Sequence, residues 1–133
     1  TVMFIDIVDY TSLSEQMSPK ENFDFINGAL SRIGPVMRKY DGVISQFLGD
    51  GAMTIFKESP DQALKAAIGI QDTLKEYNEE RLTKGRPPIG LGIGIHTGKV
   101  MLGIIGEEMR MDQNVISDNV NIFIIRDISI YQV

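Results

Sequence analysis

Apolar residues fall along this chain in two rhythms. Val2-Met3-Phe4-Ile5 is apolar at every position and stops at Asp6, the pattern of a short strand buried on both faces. After Ser18 the spacing changes to threes and fours: Phe23, Ile26, Leu30, Ile33, Met37 and Tyr40 predict an amphipathic helix with that face in the core. Ser18-Pro19-Lys20-Glu21 supplies its start, with Ser at the N-cap, Pro at the first helical position and Glu at the third. Pro35 has no amide to bond Ser31 and is expected to bend the helix, which ends at Asp41-Gly42. Val43 to Leu48 and Ala52 to Phe56 then read as a hairpin across Gly49-Asp50-Gly51, where Asp-Gly suits the positive φ of a tight turn. Ser59-Pro60-Asp61-Gln62 opens a second helix with Ala63, Ala66, Ala67, Ile70, Leu74 and Tyr77 on one side, the small residues suggesting close packing on a sheet. The polar stretch Glu79 to Pro88 reads as a loop, followed by strands at Ile89 to Ile95 and Val100 to Ile105. The order β-α-β-β-α-β-β predicts an α+β, ferredoxin-like or palm-type fold: a mostly antiparallel sheet with both helices on one face. The hairpin is expected beside the strand that ends at Asp6.

Composition narrows the partners. The 133 residues fit one domain, and 43% hydrophobic content can fill a core. A net charge of −5 offers no cationic footprint for nucleic acid or anionic lipid. The absence of cysteine excludes disulfides and thiolate metal sites. No apolar run approaches the roughly 20 residues of a membrane span, so the expected setting is cytoplasmic, either free or as the cytoplasmic domain of a larger or membrane-anchored protein.

Two aspartates carry the candidate chemistry. Asp6 closes an apolar strand and Asp50 sits at the tip of an apolar hairpin; if these strands are neighbours, the pair makes a hard, oxygen-rich site suited to Mg²⁺ or Mn²⁺. The competing reading is that Asp50 serves the turn while Asp6 caps the segment from Ile7 to Leu13, and spacing alone leaves the two evenly balanced. Val8, Tyr10 and Thr11 lie where a short helical segment begins, whose free amides suit phosphate oxygens, although Asp9 opposes an anion there. Gly90, Gly92, Gly94, Gly98, Gly103 and Gly106 invite close backbone approach without forming a phosphate-loop or dinucleotide fingerprint. His96, the single histidine, has no adjacent nucleophile or orienting partner and reads as structural.

Four segments in register, Phe4-Ile5-Asp6-Ile7-Val8-Asp9-Tyr10-Thr11, Phe47-Leu48-Gly49-Asp50-Gly51-Ala52-Met53, Gly94-Ile95-His96-Thr97-Gly98 and Val115-Ile116-Ser117-Asp118-Asn119-Val120-Asn121, closely resemble the successive motifs of class III adenylate and guanylate cyclases. The resemblance covers Thr1 to Asn121 and favours the metal reading of the aspartates. It implies that Asp6 and Asp50, with the backbone carbonyl of Ile7, hold two divalent cations, Mg²⁺ or Mn²⁺, which touch the triphosphate. The implied reaction is attack of the ribose 3′-oxygen on the α-phosphorus with loss of pyrophosphate, giving a 3′,5′-cyclic nucleotide. Arg110 matches a position that contacts the terminal phosphates, and Asn121 one beside the ribose. The resemblance also implies a homodimer in which two chains share each active site.

Some positions depart from the family pattern. The base-selecting positions hold Gln46 and Asn114, amides that can flip donor and acceptor; ATP is favoured as substrate, with GTP possible. Four residues beyond Asn121 the family carries a transition-state arginine on a helix, whereas this chain has Ile125 within the β-branched run Ile122 to Val133. Relative to the family, the catalytic domain over residues 1–133 is therefore expected to be incomplete after Asn121, its last residues resembling the two closing strands. Two rivals remain: a diguanylate cyclase, whose Gly-Gly-Asp/Glu-Glu-Phe hairpin is absent, and a catalytically silent homologue that binds nucleotide or dimerises. The leading expectation is a nucleotide cyclase serving as the output domain of a signalling protein.

Overall fold

The computed structural model describes residues 1–98, 100–107, 110–117, 122–126 and 129–132. The elements run β1 (Val2–Ile7), α1 (Tyr10–Ser14), α2 (Pro19–Lys39), β2 (Gly42–Leu48), β3 (Gly51–Phe56), α3 (Pro60–Thr83), β4 (Leu91–His96), β5 (Val100–Glu107), β6 (Arg110–Ser117), β7 (Ile122–Arg126) and β8 (Ser129–Gln132). Six strands form one sheet in the order β2-β3-β1-β4-β7-β8, and β5 and β6 form a separate hairpin. Every described pairing is antiparallel. The inner order β2-β3-β1-β4 is that of a ferredoxin-like sheet, so the expected fold holds, with the hairpin next to β1.

Alternation along β1 and β4 decides which face meets the helices. Met3, Ile5 and Ile7, with Leu91, Ile93 and Ile95, join Phe25, Ile33 and Met37 of α2 and Ala66, Ala67 and Ile70 of α3 in one buried cluster. Thr54, fully buried in this layer, donates its hydroxyl to Met37 Sδ at 2.8 Å. Both helix starts carry the expected caps. Ser18 Oγ accepts from Glu21 N while Glu21 Oε2 accepts from Ser18 N, and Ser59 Oγ accepts from Asp61 N.

Four expectations need correction. Phe4 is 46% exposed, so beyond Val2 β1 is buried on one face only, and the strand continues through Asp6 to Ile7. The buried stripe of α2 is Phe25, Ala29, Ile33, Gly34 and Met37, while Phe23 is 67% exposed; with aromatic residues at both 23 and 25, spacing alone selects the wrong one. The segment from Glu79 is helical as far as Thr83, because Arg81 lies buried against Phe25 and Tyr77 and Glu80 pairs with Arg32 of α2. In the hairpin, Gly49 carries the positive φ of 60°, not the Asp-Gly pair. Leu48 pairs with Gly51, leaving Gly49-Asp50 as a two-residue loop. Gly51 serves close packing instead, since a Cβ there would collide with the Ile5 carbonyl.

Candidate active site

The register of β1 assembles the site. Asp6 pairs with Gly51 of β3 on one side and with Gly92 of β4 on the other. Asp50, next to Gly51, therefore stands at the same end of the sheet on the neighbouring strand. Asp6 is an exposed strand residue, not a cap; the N-cap of α1 is Asp9, at φ 56° and with no side-chain capping bond. Neither the Asp6 nor the Asp50 carboxylate has an ion-pair or hydrogen-bond partner among the described residues. An exposed and a half-buried carboxylate without internal cations are poorly explained by packing and well suited to an added cation.

The Ile7 carbonyl can be oriented from one hydrogen bond. Val8 N donates to Gly90 O at 2.9 Å, so that amide points towards β4. In a trans peptide the preceding carbonyl points the opposite way, which aims Ile7 O towards the β3 side, where Asp50 lies. Two carboxylates and a carbonyl form a hard oxygen set that fits Mg²⁺ or Mn²⁺. Among the described residues no group of three or more His, Cys, Asp or Glu side chains gathers to hold a metal. This set relies on the carbonyl as its third protein donor.

Gly92 is the site residue that periodicity does not reveal. A Cβ at this position would lie 2.6 Å from Asp6 Oδ1, so a bare backbone leaves the Asp6 carboxylate its room. Two pairs further along, Gly94 faces Phe4, and a Cβ there would meet nothing within 4 Å. The alternation of glycines at 92 and 94 with buried Leu91, Ile93 and Ile95 is the signal in the sequence. It marks a strand with one packed face and one bare face.

The remaining candidates fall into place unevenly. Gln46 pairs with Met53, which pairs with Phe4, so Gln46 shares the face of Asp6. It reaches that face because β2 has a register shift between Ile44 and Gln46, with Ser45 as the extra residue. Two strand spacings and two residues separate Gln46 from Asp6, about 12 Å by sheet geometry. Asn114 pairs with Gly103 and Arg110 with Glu107 in the β5–β6 hairpin, and β6 lies against β2, the strand of Gln46. Asn121 lies outside the described residues. Val8 has committed its amide to Gly90, so it has none to offer phosphate. The Tyr10 hydroxyl donates to Asn22 Oδ1 at 2.8 Å and ties α1 to α2, and the Thr11 carbonyl accepts from Ser14 Oγ. His96 pairs with Val2, four residues along β4 from Gly92 and away from the carboxylates, with Nε2 buried and without a partner.

Comparison with known proteins places the fold in a family. An adenylate cyclase of Anabaena cylindrica is 42% identical over 127 residues, covering 92% of this chain and 25% of that protein. Adenylate cyclase 1 of Rhizobium meliloti is 29% identical over 128 residues, covering 92% of this chain and 19% of its own. The chain thus spans a quarter or less of these two relatives. Among solved structures, the guanylyl cyclase Cya2 superposes with a TM-score of 0.77 at 31% identity, covering 87% of this chain and 62% of that one. The adenylyl cyclase CyaB from P. aeruginosa gives 0.78 at 28% identity, covering 87% and 64%. The family model for the adenylate and guanylate cyclase catalytic domain matches residues 1–123, and the chain belongs to that family.

Proposed function

We propose that this chain is the catalytic part of a nucleotide cyclase that converts ATP, in preference to GTP, to a 3′,5′-cyclic nucleotide and pyrophosphate, as the output domain of a signalling protein. The observation that carries the reading is the unpartnered Asp6 carboxylate over the bare Gly92 backbone, beside Asp50 and the Ile7 carbonyl. Asp6, Asp50 and the Ile7 carbonyl hold two divalent cations, Mg²⁺ or Mn²⁺. Bound there, the cations supply charge stabilisation for the triphosphate and a lower pKa for the attacking ribose hydroxyl. The aspartates fix where charge is neutralised and Gly92 keeps Asp6 free to turn. Gln46 and Asn114 read the base, Arg110 meets the terminal phosphates and Asn121 orients the ribose. The domain works as a homodimer in which one chain brings the aspartates and the other Gln46, Asn114 and Asn121. The separation of about 12 Å between Gln46 and Asp6 supports a nucleotide spanning more than one contact zone.

Mixing an Asp6→Ala chain with an Asn121→Ala chain tests both activity and sharing. Product formed with Mn²⁺ from the mixture, but not from either variant alone, is the expected result. A mixture that stays inactive although heterodimers form would refute the shared site. A second reading, a silent nucleotide-binding or dimerisation module, draws on one observation. Ile125, at the position of the family's transition-state arginine, belongs to β7 and pairs with Ile93. Nucleotide binding without turnover in the unmodified parent protein would favour that reading.

A further inference from the structure

We infer that a cavity on the helix side of the sheet, between α1, α2 and the loop joining α3 to β4, binds a small organic carboxylate. The cavity has a volume of about 420 Å³, within the range of small-molecule sites, and its walls include Leu13, Phe25, Tyr77, Pro87 and two arginines, Arg81 and Arg86. Arg81 is only 8% exposed. Its Nε donates to the Pro87 carbonyl at 2.9 Å, and its guanidinium carbon lies 5.2 Å from the Phe25 ring centroid and 5.8 Å from that of Tyr77. Among the described residues, neither Arg81 nor Arg86 has a carboxylate within 4.0 Å. A buried guanidinium without an anion is costly, and two aromatic faces offset only part of that cost.

Among the described residues, the one sealed side-chain polar atom without a partner is His96 Nε2, so the amino groups of Arg81, which have no partner either, are not sealed, and Arg81 lines the cavity. Anchoring the loop requires only Nε, which leaves the planar edge of the guanidinium free for a carboxylate. The acids that also line the cavity have their own partners: Glu21 accepts from Ser18 N at 2.8 Å, and Asp24 pairs with Lys20 at 3.4 Å. Aromatic and proline walls favour a ligand with a carbon body over a bare inorganic anion. The cavity lies among the helices and Asp6 on the opposite face of the sheet, so this site is distinct from the proposed nucleotide site.

Fluorine NMR with 4-fluorobenzoate as the probe tests the inference on this chain. Saturable broadening is expected with the carboxylate and none with the neutral 4-fluorobenzamide. Arg81→Gln should weaken binding at least about tenfold. Arg86→Gln, an exposed change that leaves the loop anchor intact, should weaken it about threefold and keeps the test decisive if Arg81→Gln fails to fold. Absence of saturable binding, equal binding of the amide, equal competition by inorganic phosphate, or displacement by Mg²⁺-ATP would each overturn the inference.

Discussion

The two faces of the sheet are built from alternate residues of the same strands and do opposite jobs. On β1, Met3, Ile5 and Ile7 are buried among the helices, while Phe4 and Asp6 between them are exposed. On β4, Leu91, Ile93 and Ile95 are buried and Gly92 and Gly94 leave the other side bare. Packing and the proposed chemistry thus fall on alternate residues of one backbone. A substitution on one face should leave the property of the other nearly untouched.

The strongest test of this separation is Asp6→Ala in the parent protein. Cyclic nucleotide formation should fall by at least about 10³-fold, with the melting temperature within about 2 °C of the parent, because the carboxylate is exposed and fills no core volume. Loss of folding instead would break the comparison. Ile33→Ala on the helix face should do the reverse. It should cost about 3 kcal/mol in denaturant unfolding while turnover per folded molecule stays within about twofold.

Smaller effects sharpen the boundary. Gly92→Ala keeps the strand but pushes a methyl group against Asp6 Oδ1, and should lower kcat about 10- to 100-fold with little change in KM for the nucleotide. Parental activity in this variant would show that Asp6 does not need the position it occupies. Gln46→Lys should shift the ratio of kcat/KM for ATP over GTP about tenfold towards ATP. An unchanged ratio would remove Gln46 from base recognition. The smallest effect lies at the start of α2. The Ser18 backbone and side-chain hydrogen bonds hold Glu21 below its ordinary carboxylate range, so its contribution to stability is present above about pH 4.5 and disappears as pH falls through the lowered value. Glu21→Gln should accordingly flatten the acid limb of the stability curve slightly and leave the neutral plateau almost level.

Much of this division was legible in the chain because local chemistry and global fold agree. The two Ser-Pro starts, the two long helices and the hairpin before Ala52 are each fixed by nearby residues, and all appear in place. The two aspartates were legible as candidates, but only strand order makes them neighbours, and strand order is a non-local property. The failures share a cause. Phe4 looks like core because an exposed apolar residue cannot be told from a buried one by type. Phe23 and Phe25 compete for one helical stripe, and tertiary packing chooses Phe25. Arg81 sits in a stretch that looks like solvated loop, yet its stem and guanidinium fill a gap between aromatic rings. Gly92 was visible only as one of several glycines, because its importance depends on the residue across the ladder.

The extra residue in β2 has a consequence for how this domain can change through evolution. Ser45 lets Ile44 face Thr54 on the helix side while Gln46 faces Met53 on the other and Phe47 returns to the helix side. Deletion of that one codon would leave Ile44 opposite Thr54, Gln46 opposite Met53 and Phe47 opposite Ala52 in a regular ladder, so the proposed base reader and its apolar neighbour would keep their sides. Position 45 is therefore a place where this strand can lose a residue through heredity while the side chain proposed to read the base keeps its place.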